Sequence, residues 1–211
     1  MNRDDMLALF DSINAQLDAL RDLLLKSAPA PVSESPNLAV SKSPNLPVSQ
    51  PGTWWTGPAE YAKFTGVRLN NPLNVKASPN KWQGQIGADD RGHVKFESPE
   101  YGIRAAMVNL RSYWTKHNLR TLSAIIGRWA PSTDTIGSRK GAPQNQPNAY
   151  AAWVAKKLGI GTETQLGLFD REGALRDGAQ LIDLITAMAE YEIGAGFTLH
   201  RDTAATALLL L

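Results

Sequence analysis

Carboxylates are the main chemical groups that this sequence offers for catalysis. The chain contains no cysteine, which excludes disulfides, thiol catalysis and cysteine–zinc sites. Its three histidines, His93, His117 and His200, lie far apart and form no pair with the spacing of metal ligands. No glycine-rich phosphate loop follows a predicted strand. We therefore expect a protein without a metal or a cofactor.

Glu192 is the carboxylate whose position stands out. A long helix is predicted over residues 177–193, and its inward face carries Leu181, Ile185 and Met188. At about 100° per residue, Glu192 lies within roughly 40° of that face. It also lies in the last turn, where the helix dipole and partial burial both disfavour a negative charge. We expect a neutral acid that could protonate a leaving glycosidic oxygen. The alternative is a glutamate that reaches water or pairs with Arg201.

Aromatic side chains suit a sugar ligand, because binding sites use aromatic rings as apolar platforms. The chain has six tryptophans, at positions 54, 55, 82, 114, 129 and 153. Trp82 is the best stacking candidate, since its loop is rich in lysine, asparagine and glutamine. Trp114 and Trp153 lie on helical stripes, where core packing is the more ordinary role.

The elements that must position Glu192 are mostly helical. Ser98 followed by proline and an acid predicts a helix start. Residues 122–129 predict a second helix, and a third begins with Asn148 as its cap and ends at Gly159. Strand patterns are confined to about 73–97. The predicted fold class is therefore α+β, mostly helical with a small β-hairpin lobe.

Two unlike segments precede this domain. Six apolar residues in 1–27 follow heptad spacing and predict a coiled-coil helix: Met6, Phe10, Ile13, Leu17, Leu20 and Leu24. A single such helix is marginal in water, so it needs a partner. We expect a homo-oligomer or insertion into a larger assembly, with docking onto the chain's own domain as the alternative. Residues 28–52 hold six prolines and predict an extended linker. The domain is then 53–201, with a C-terminal tail at 202–211.

Composition excludes several classes of partner. The net charge of +2 gives no global reason to expect nucleic acid as a partner. No apolar run is long enough to span a membrane, so we expect no membrane span. Charged residues interrupt positions 1–26, and we therefore predict no signal peptide.

Several short motifs occur in a characteristic order. They are Asn70-Asn71-Pro72-Leu73-Asn74-Val75, Trp82-Gln83-Gly84, Val94-Lys95-Phe96, Ser98-Pro99-Glu100-Tyr101-Gly102-Ile103-Arg104-Ala105, Arg128-Trp129-Ala130-Pro131, Asn148, Tyr150 and Tyr191-Glu192-Ile193-Gly194. Together they resemble a group of bacteriophage virion proteins over about 68–194. They are also similar to bacterial glucosaminidases and lytic transglycosylases of the lysozyme-like group, with one change of order. In those enzymes the helix that ends in the catalytic glutamate comes first, whereas here it comes last.

The resemblance implies a circularly permuted lysozyme-like domain, which termini lying close together would tolerate. It matches Glu192 to the catalytic acid and Tyr150 to a tyrosine that lines the cleft. Asn71 and Asn74 match the turn that faces the acid. Trp82 and Trp129 complete the expected substrate contacts. The chain also carries an additional segment at 132–146, near the expected cleft.

The implied function is a phage virion protein, in the tail or inside the particle, that cleaves the glycan strand of bacterial peptidoglycan at the host cell wall. Glu192 would serve as acid and then as base. Lytic transglycosylation needs one carboxylate, whereas hydrolysis of the glucosaminidase or muramidase type usually uses two. Asp89 and Asp90, in the predicted hairpin loop, are candidates for the second, although acids in turns are usually solvated.

Two other functions stay open from the sequence. The first is a non-catalytic virion module that is structural or binds peptidoglycan, with other virion proteins held through residues 1–27 in either case. It predicts that Glu192 can be replaced without loss. The second is a cytosolic adaptor unrelated to cell walls, which would not bind wall material at all.

Overall fold

The computed structural model describes residues 54–136 and 140–211, and they form an α+β fold that is mostly helical. The predicted fold class is confirmed. The described ranges contain six α-helices: Thr65–Arg68 (α1), Pro99–His117 (α2), Leu122–Trp129 (α3), Pro147–Leu158 (α4), Gly178–Ile193 (α5) and Arg201–Leu209 (α6). Among them, no helix combines the length and apolar composition needed to cross a bilayer. The predicted coiled-coil helix at 1–27 and linker at 28–52 lie outside the described residues.

Two short strands form the predicted hairpin lobe. Strand β2 covers Gln85–Ala88 and strand β3 covers Val94–Phe96, and the two are antiparallel. Gln85 pairs with Phe96 and Ala88 with Val94, with an irregularity between Gln85 and Gly87. A β-bulge of this kind bends the strand. The side chains of Val94 and Phe96 are fully buried and fix the hairpin on the helical core.

A second strand pair was not predicted. Strand β1 (Trp55–Thr56) pairs antiparallel with strand β4 (Thr198–Leu199), and the amide of His200 donates a hydrogen bond to the carbonyl of Trp54 at 3.0 Å. Strands of two residues are too short to leave an alternating pattern in the sequence. The pair holds the start of the described domain beside residue 200.

The helix boundaries follow local capping signals, with two corrections. Helix α2 begins at Pro99 after Ser98, but the Ser98 side chain makes no capping hydrogen bond. Helix α4 begins at Pro147, so Asn148 lies inside its first turn and is not the cap. Proline suits the first helical position because the backbone N–H that it lacks would have no partner inside the helix there. Gly159 ends α4 in the left-handed conformation, with φ at 67°.

The hydrophobic core lies between helices α2 and α5 and the elements that pack on them. Helix α2 packs on α5 and α6, and α4 packs between α3 and α5. Its largest fully buried side chains include Phe96, Ile103, Met107, Leu110, Leu122, Ile126, Phe169, Leu181 and Phe197. The predicted inward face of α5 is fully buried at Leu181, Ile185 and Met188. Helix α5 is therefore held on this face, and the orientation of Glu192 is fixed with it.

The residues expected as a C-terminal tail are part of the domain. They form helix α6, in which Ala204 and Ala207 are completely buried. Arg104 Nε donates to the carbonyl of Leu210 at 2.7 Å, and Arg111 donates to that of Leu211 at 3.2 Å. The domain therefore continues to residue 211, past the boundary at 201 that the sequence suggested.

Close contact between α2 and the turn at 70–74 requires a glycine at position 102. A Cβ atom at Gly102 would lie 2.1 Å from the carbonyl oxygen of Asn70, which is far inside van der Waals contact. This oxygen belongs to the backbone and cannot rotate away as a side chain could. The helix or the turn would therefore have to move. Gly127 in α3 is the opposite case, because a Cβ there would meet no atom within 4 Å.

We predict that Gly102→Ala lowers the free energy of unfolding by about 3 kcal/mol, as overpacking against backbone does. The matched variant Gly127→Ala should raise it by up to about 1 kcal/mol, because alanine restricts the unfolded chain and favours helix. Urea unfolding of the three proteins measures both changes. Equal stability of wild type and Gly102→Ala would contradict the close contact.

Candidate functional site

Asn71 holds the turn that faces the end of α5. Its side chain is fully buried, and Nδ2 donates to the carbonyls of Val75 at 2.9 Å and Val94 at 2.8 Å. Its Oδ1 accepts from the Val75 amide at 2.8 Å. These three bonds use both amide hydrogens and the oxygen within the protein. Asn71 therefore fixes the turn to β3, which corrects the expectation that it contacts substrate.

Asn74 presents its amide to Glu192. It adopts φ of 51°, a left-handed conformation that asparagine tolerates better than most residues. Its Nδ2 donates to Glu192 Oε2 at 3.0 Å, across 118 positions of sequence. The Asn-Pro turn and the end of the last core helix therefore meet, as the resemblance implied.

Two aromatic side chains bind the other carboxylate oxygen. Trp129 Nε1, at the end of α3, donates to Glu192 Oε1 at 3.0 Å. The Tyr150 hydroxyl, in α4, donates to the same oxygen at 3.1 Å and lies 3.3 Å from the carbonyl of Met188. One carboxyl group thus collects donors from α3, α4 and the turn at 70–74. Asn74, Trp129 and Tyr150, which the sequence proposed as site residues, thus surround Glu192.

The two carboxyl oxygens of Glu192 are not equivalent. An indole N–H can only donate, so Oε1 must remain an acceptor toward Trp129. Oε2 accepts a single hydrogen bond, from Asn74. Within the described residues, Oε2 therefore keeps more free hydrogen-bonding capacity than Oε1.

Burial raises the pKa of Glu192 above the ordinary value of a glutamate. Hydrogen bonds from Asn74, Trp129 and Tyr150 stabilise the ionised form and oppose part of this effect. Burial, followed by the charge of Glu192, also holds the pKa of Tyr150 well above its usual range. The tyrosine hydroxyl therefore stays protonated and remains a donor.

The alternative partner for Glu192 is occupied elsewhere. Arg201 forms an ion pair with Asp183, a different residue of α5. Glu190, two residues before Glu192, points outward and pairs with Lys157 at 2.9 Å. Glu192 is half-buried and bound by three donors. Within the described part of the chain, no cation forms an ion pair with it.

An open cleft of about 730 Å³ contains the carboxyl group of Glu192. One wall comes from residues 73–82 and His93, and the other from α3, α4 and the segment after α3. Its lining includes Asn74, Trp82, Trp129, Tyr150 and Glu192, together with Lys76, Asn109, Tyr113, Asp134, Asn145 and Tyr191. Trp82 is half-buried, and its Nε1 donates to the carbonyl of Lys76 at 3.1 Å. Residues 134–136 and 145–146 of the additional segment thus line the cleft.

Asp89 and Asp90 are not among the residues that line the cleft. Asp89 Oδ2 lies 3.0 Å from His93 Nδ1 and 3.3 Å from Arg91. Burial acts to raise the pKa of Asp89, but the hydrogen bonds with His93 and Arg91 lower it to about 2. Asp89 therefore orders the hairpin loop, which corrects its assignment as a second catalytic carboxylate. The acid that shares the cleft with Glu192, within the described ranges, is Asp134.

Tyr191 is a cleft residue that sequence reasoning did not single out. Its ring stacks on that of Tyr150, with centroids 3.8 Å apart and planes at 11°. It remains 37% exposed, the most open aromatic ring next to the carboxylate. In the sequence it appeared only as part of the motif Tyr191-Glu192-Ile193-Gly194, without a role of its own. On a helix, adjacent residues point about 100° apart, so this position alone did not predict a shared cleft.

Metal ligands are not grouped in the part of the chain that the structure describes. No set of three or more histidine, aspartate and glutamate side chains there could hold an ion. The expectation that the protein uses no metal or cofactor stays a prediction.

Comparison with known proteins gives one partial match. No protein-family model matches this chain. Over 99 residues the chain is 36% identical to Protein P5 of Pseudoalteromonas phage PM2, and the match covers 45% of this chain. It covers 56% of the phage protein, so the chain spans about half the length of this curated relative. The similarity therefore connects part of the chain with a phage protein, whose name states no activity.

The raised pKa predicts how Glu192 affects stability. The folded state holds this proton more tightly than the unfolded state, so the wild type should lose stability as pH rises from the ordinary value of 4.5 through the raised pKa. Glu192→Gln cannot ionise, and its side chain can keep the same contacts if Asn74 turns its amide. The difference in unfolding free energy, variant minus wild type, should therefore grow between about pH 4 and pH 8. Urea unfolding at a series of pH values measures it. A difference that shrinks with pH would contradict the raised pKa.

Proposed function

We propose that this chain is a phage virion protein that cleaves the glycan strand of bacterial peptidoglycan, with Glu192 as the acid and base. The observation that carries the proposal is the carboxyl group of Glu192, half-buried in an open cleft and bound by three neutral donors. Such a group is desolvated yet accessible from the cleft. This combination is typical of catalytic acids.

The cleft has the chemistry that a sugar polymer needs. Trp82 and Tyr191 offer aromatic surface, and Asn109, Asn145 and Gln146 offer amide groups for sugar hydroxyls. An open cleft can admit an inner part of a long strand, whereas a closed pocket would admit only an end. These features favour a sugar chain as the ligand.

The acid step follows from the asymmetry of the carboxyl group. Glu192 Oε2 donates its proton to the glycosidic oxygen as the bond to the anomeric carbon breaks. The leaving sugar departs with a hydroxyl, and positive charge develops on the remaining ring. The hydrogen bonds from Trp129 and Tyr150 to Oε1 stabilise the carboxylate that is left behind.

Two routes complete the reaction, and both regenerate the acid. In lytic transglycosylation, carboxylate Oε2 takes the proton of a hydroxyl of the same sugar, whose oxygen bonds to the anomeric carbon and gives an anhydro product. In hydrolysis, carboxylate Oε2 takes a proton from water instead, and the oxygen of that water bonds to the anomeric carbon. Hydrolysis usually uses a second carboxylate. Asp134 is the candidate for it, because it shares the cleft with Glu192.

The location in a virion rests on separate support. The match to a phage protein and the order of motifs both favour it. The predicted coiled-coil helix at 1–27 would anchor the domain to other virion proteins or to further copies of the chain, and the linker at 28–52 would give it reach. A particle would then deliver the domain to the cell wall of the host.

Replacing Glu192 tests the catalytic proposal directly. Glu192→Gln should lower the rate of peptidoglycan clearing at least about 100-fold, because glutamine cannot donate the proton. Glu190→Gln is the matched control, since it alters the same helix on its outward side. Zymography and turbidity of purified sacculi give the rates, and mass analysis of the fragments identifies anhydro or reducing ends.

Equal clearing by wild type and Glu192→Gln would remove the site assignment. No clearing by either, with retained pelleting on sacculi, would overturn the enzyme and favour a non-catalytic module that binds peptidoglycan. The control variant should clear at the wild-type rate.

Tyr150→Phe tests whether the hydrogen bond from Tyr150 lowers the pKa of Glu192. Without its hydroxyl, the ionised form of Glu192 loses one donor, so the pKa of Glu192 should rise further. The alkaline limb of the pH–rate profile should then move to higher pH, because the acid must be protonated to act. Tyr191→Phe should leave that limb in place, since Tyr191 stacks beside the carboxylate without donating to it. An alkaline limb that moves equally in both variants, or in neither, would contradict this role of Tyr150.

A further inference from the structure

A second groove lies beside the cleft and shares one residue with it. It is a shallow, open groove of about 590 Å³, lined by Tyr113, Leu119, Ala124, Gly127, Arg128 and Pro131. Tyr113 also lines the cleft of Glu192. The two grooves are therefore neighbours, and Tyr113 stands at the boundary between them.

Arg128 supplies the charge of the groove. Its side chain is exposed, and within the described ranges it forms no ion pair. The guanidinium lies over the ring of Tyr113, 5.2 Å from the centroid. The ring lies against the guanidinium, and the exposed side chain leaves N–H groups available to a ligand. A planar guanidinium held in this way matches a carboxylate with two parallel hydrogen bonds.

Gly127 keeps the groove open. A Cβ at this position would meet no atom within 4 Å, although the residue lies inside helix α3. A glycine there weakens the helix relative to alanine by about 1 kcal/mol. Neither a close contact nor a special backbone angle requires it. The space that its missing side chain leaves is part of the groove.

We infer that this groove binds the acidic peptide stem that branches from the glycan strand, and this inference rests on the proposed function. The stems of peptidoglycan carry free carboxylates and small apolar side chains. Arg128 suits the carboxylate, and Leu119, Ala124 and Pro131 suit the small apolar groups. With the glycan in the cleft of Glu192, Tyr113 lies at the point where a stem would turn from one groove into the other.

Glycan fragments with and without their stems separate this role from glycan binding itself. The two ligands are soluble peptidoglycan fragments and the same fragments stripped of peptide by an amidase, with the sugar carboxylate that this exposes blocked as a methylamide. Calorimetric titration uses the full chain carrying Glu192→Gln, so that no turnover interferes. The two test variants are Arg128→Gln, which removes the charge, and Gly127→Leu, which fills the groove with a good helix former. Arg176→Gln is the matched control, because Arg176 is exposed and lines neither groove.

We expect both test variants to weaken binding of the fragments with stems about tenfold or more, as loss of a charge-assisted hydrogen bond does. Binding of the stripped fragments should not change, and the control should match the parent protein on both ligands. Unchanged affinity of Arg128→Gln and Gly127→Leu for fragments with stems would overturn the inference alone. Equal weakening on both ligands would overturn it as well. No binding of either ligand by the parent protein would overturn the proposed function, and the inference with it.

Discussion

The contact between the turn at 70–74 and the end of helix α5 is the constraint on which the candidate site depends. Asn71 fixes this turn to β3 through three buried hydrogen bonds, and Gly102 allows helix α2 to touch its backbone. The turn can then present Asn74 to Glu192. If the turn moved by an ångström, Oε2 of Glu192 would lose its hydrogen bond from Asn74.

Much of the helical fold could be predicted, because its signals are local. The periodicity of the inward face of α5 placed Glu192 correctly relative to Leu181 and Met188, and α3 occupies the predicted residues 122–129. Proline and glycine marked the first residue of α2 and the last turn of α4. The strand pair β1–β4 could not be predicted, since its two partners lie about 140 residues apart and each has two residues.

The residues that form the site were harder to predict from the sequence. A motif does not show whether a side chain points into the core or into the cleft. Asn71 and Asn74 belong to one turn, yet one is buried beneath it and the other faces the cleft. Asp89 was chosen for its residue type, but His93 and Arg91 already bind it. Asp134 and Tyr191 reach the cleft through tertiary packing that no short pattern records.

The partners of Glu192 are 118, 63 and 42 positions away in the chain. Contacts of such high order form late in folding, because closing long loops costs entropy before the contacts repay it. During synthesis, the acid itself leaves the ribosome only after nearly all of the domain. An incomplete chain, or one that has not yet closed, therefore has no assembled acid. In a cell that makes this protein, the carboxyl site would therefore be assembled only in chains whose synthesis has passed residue 192.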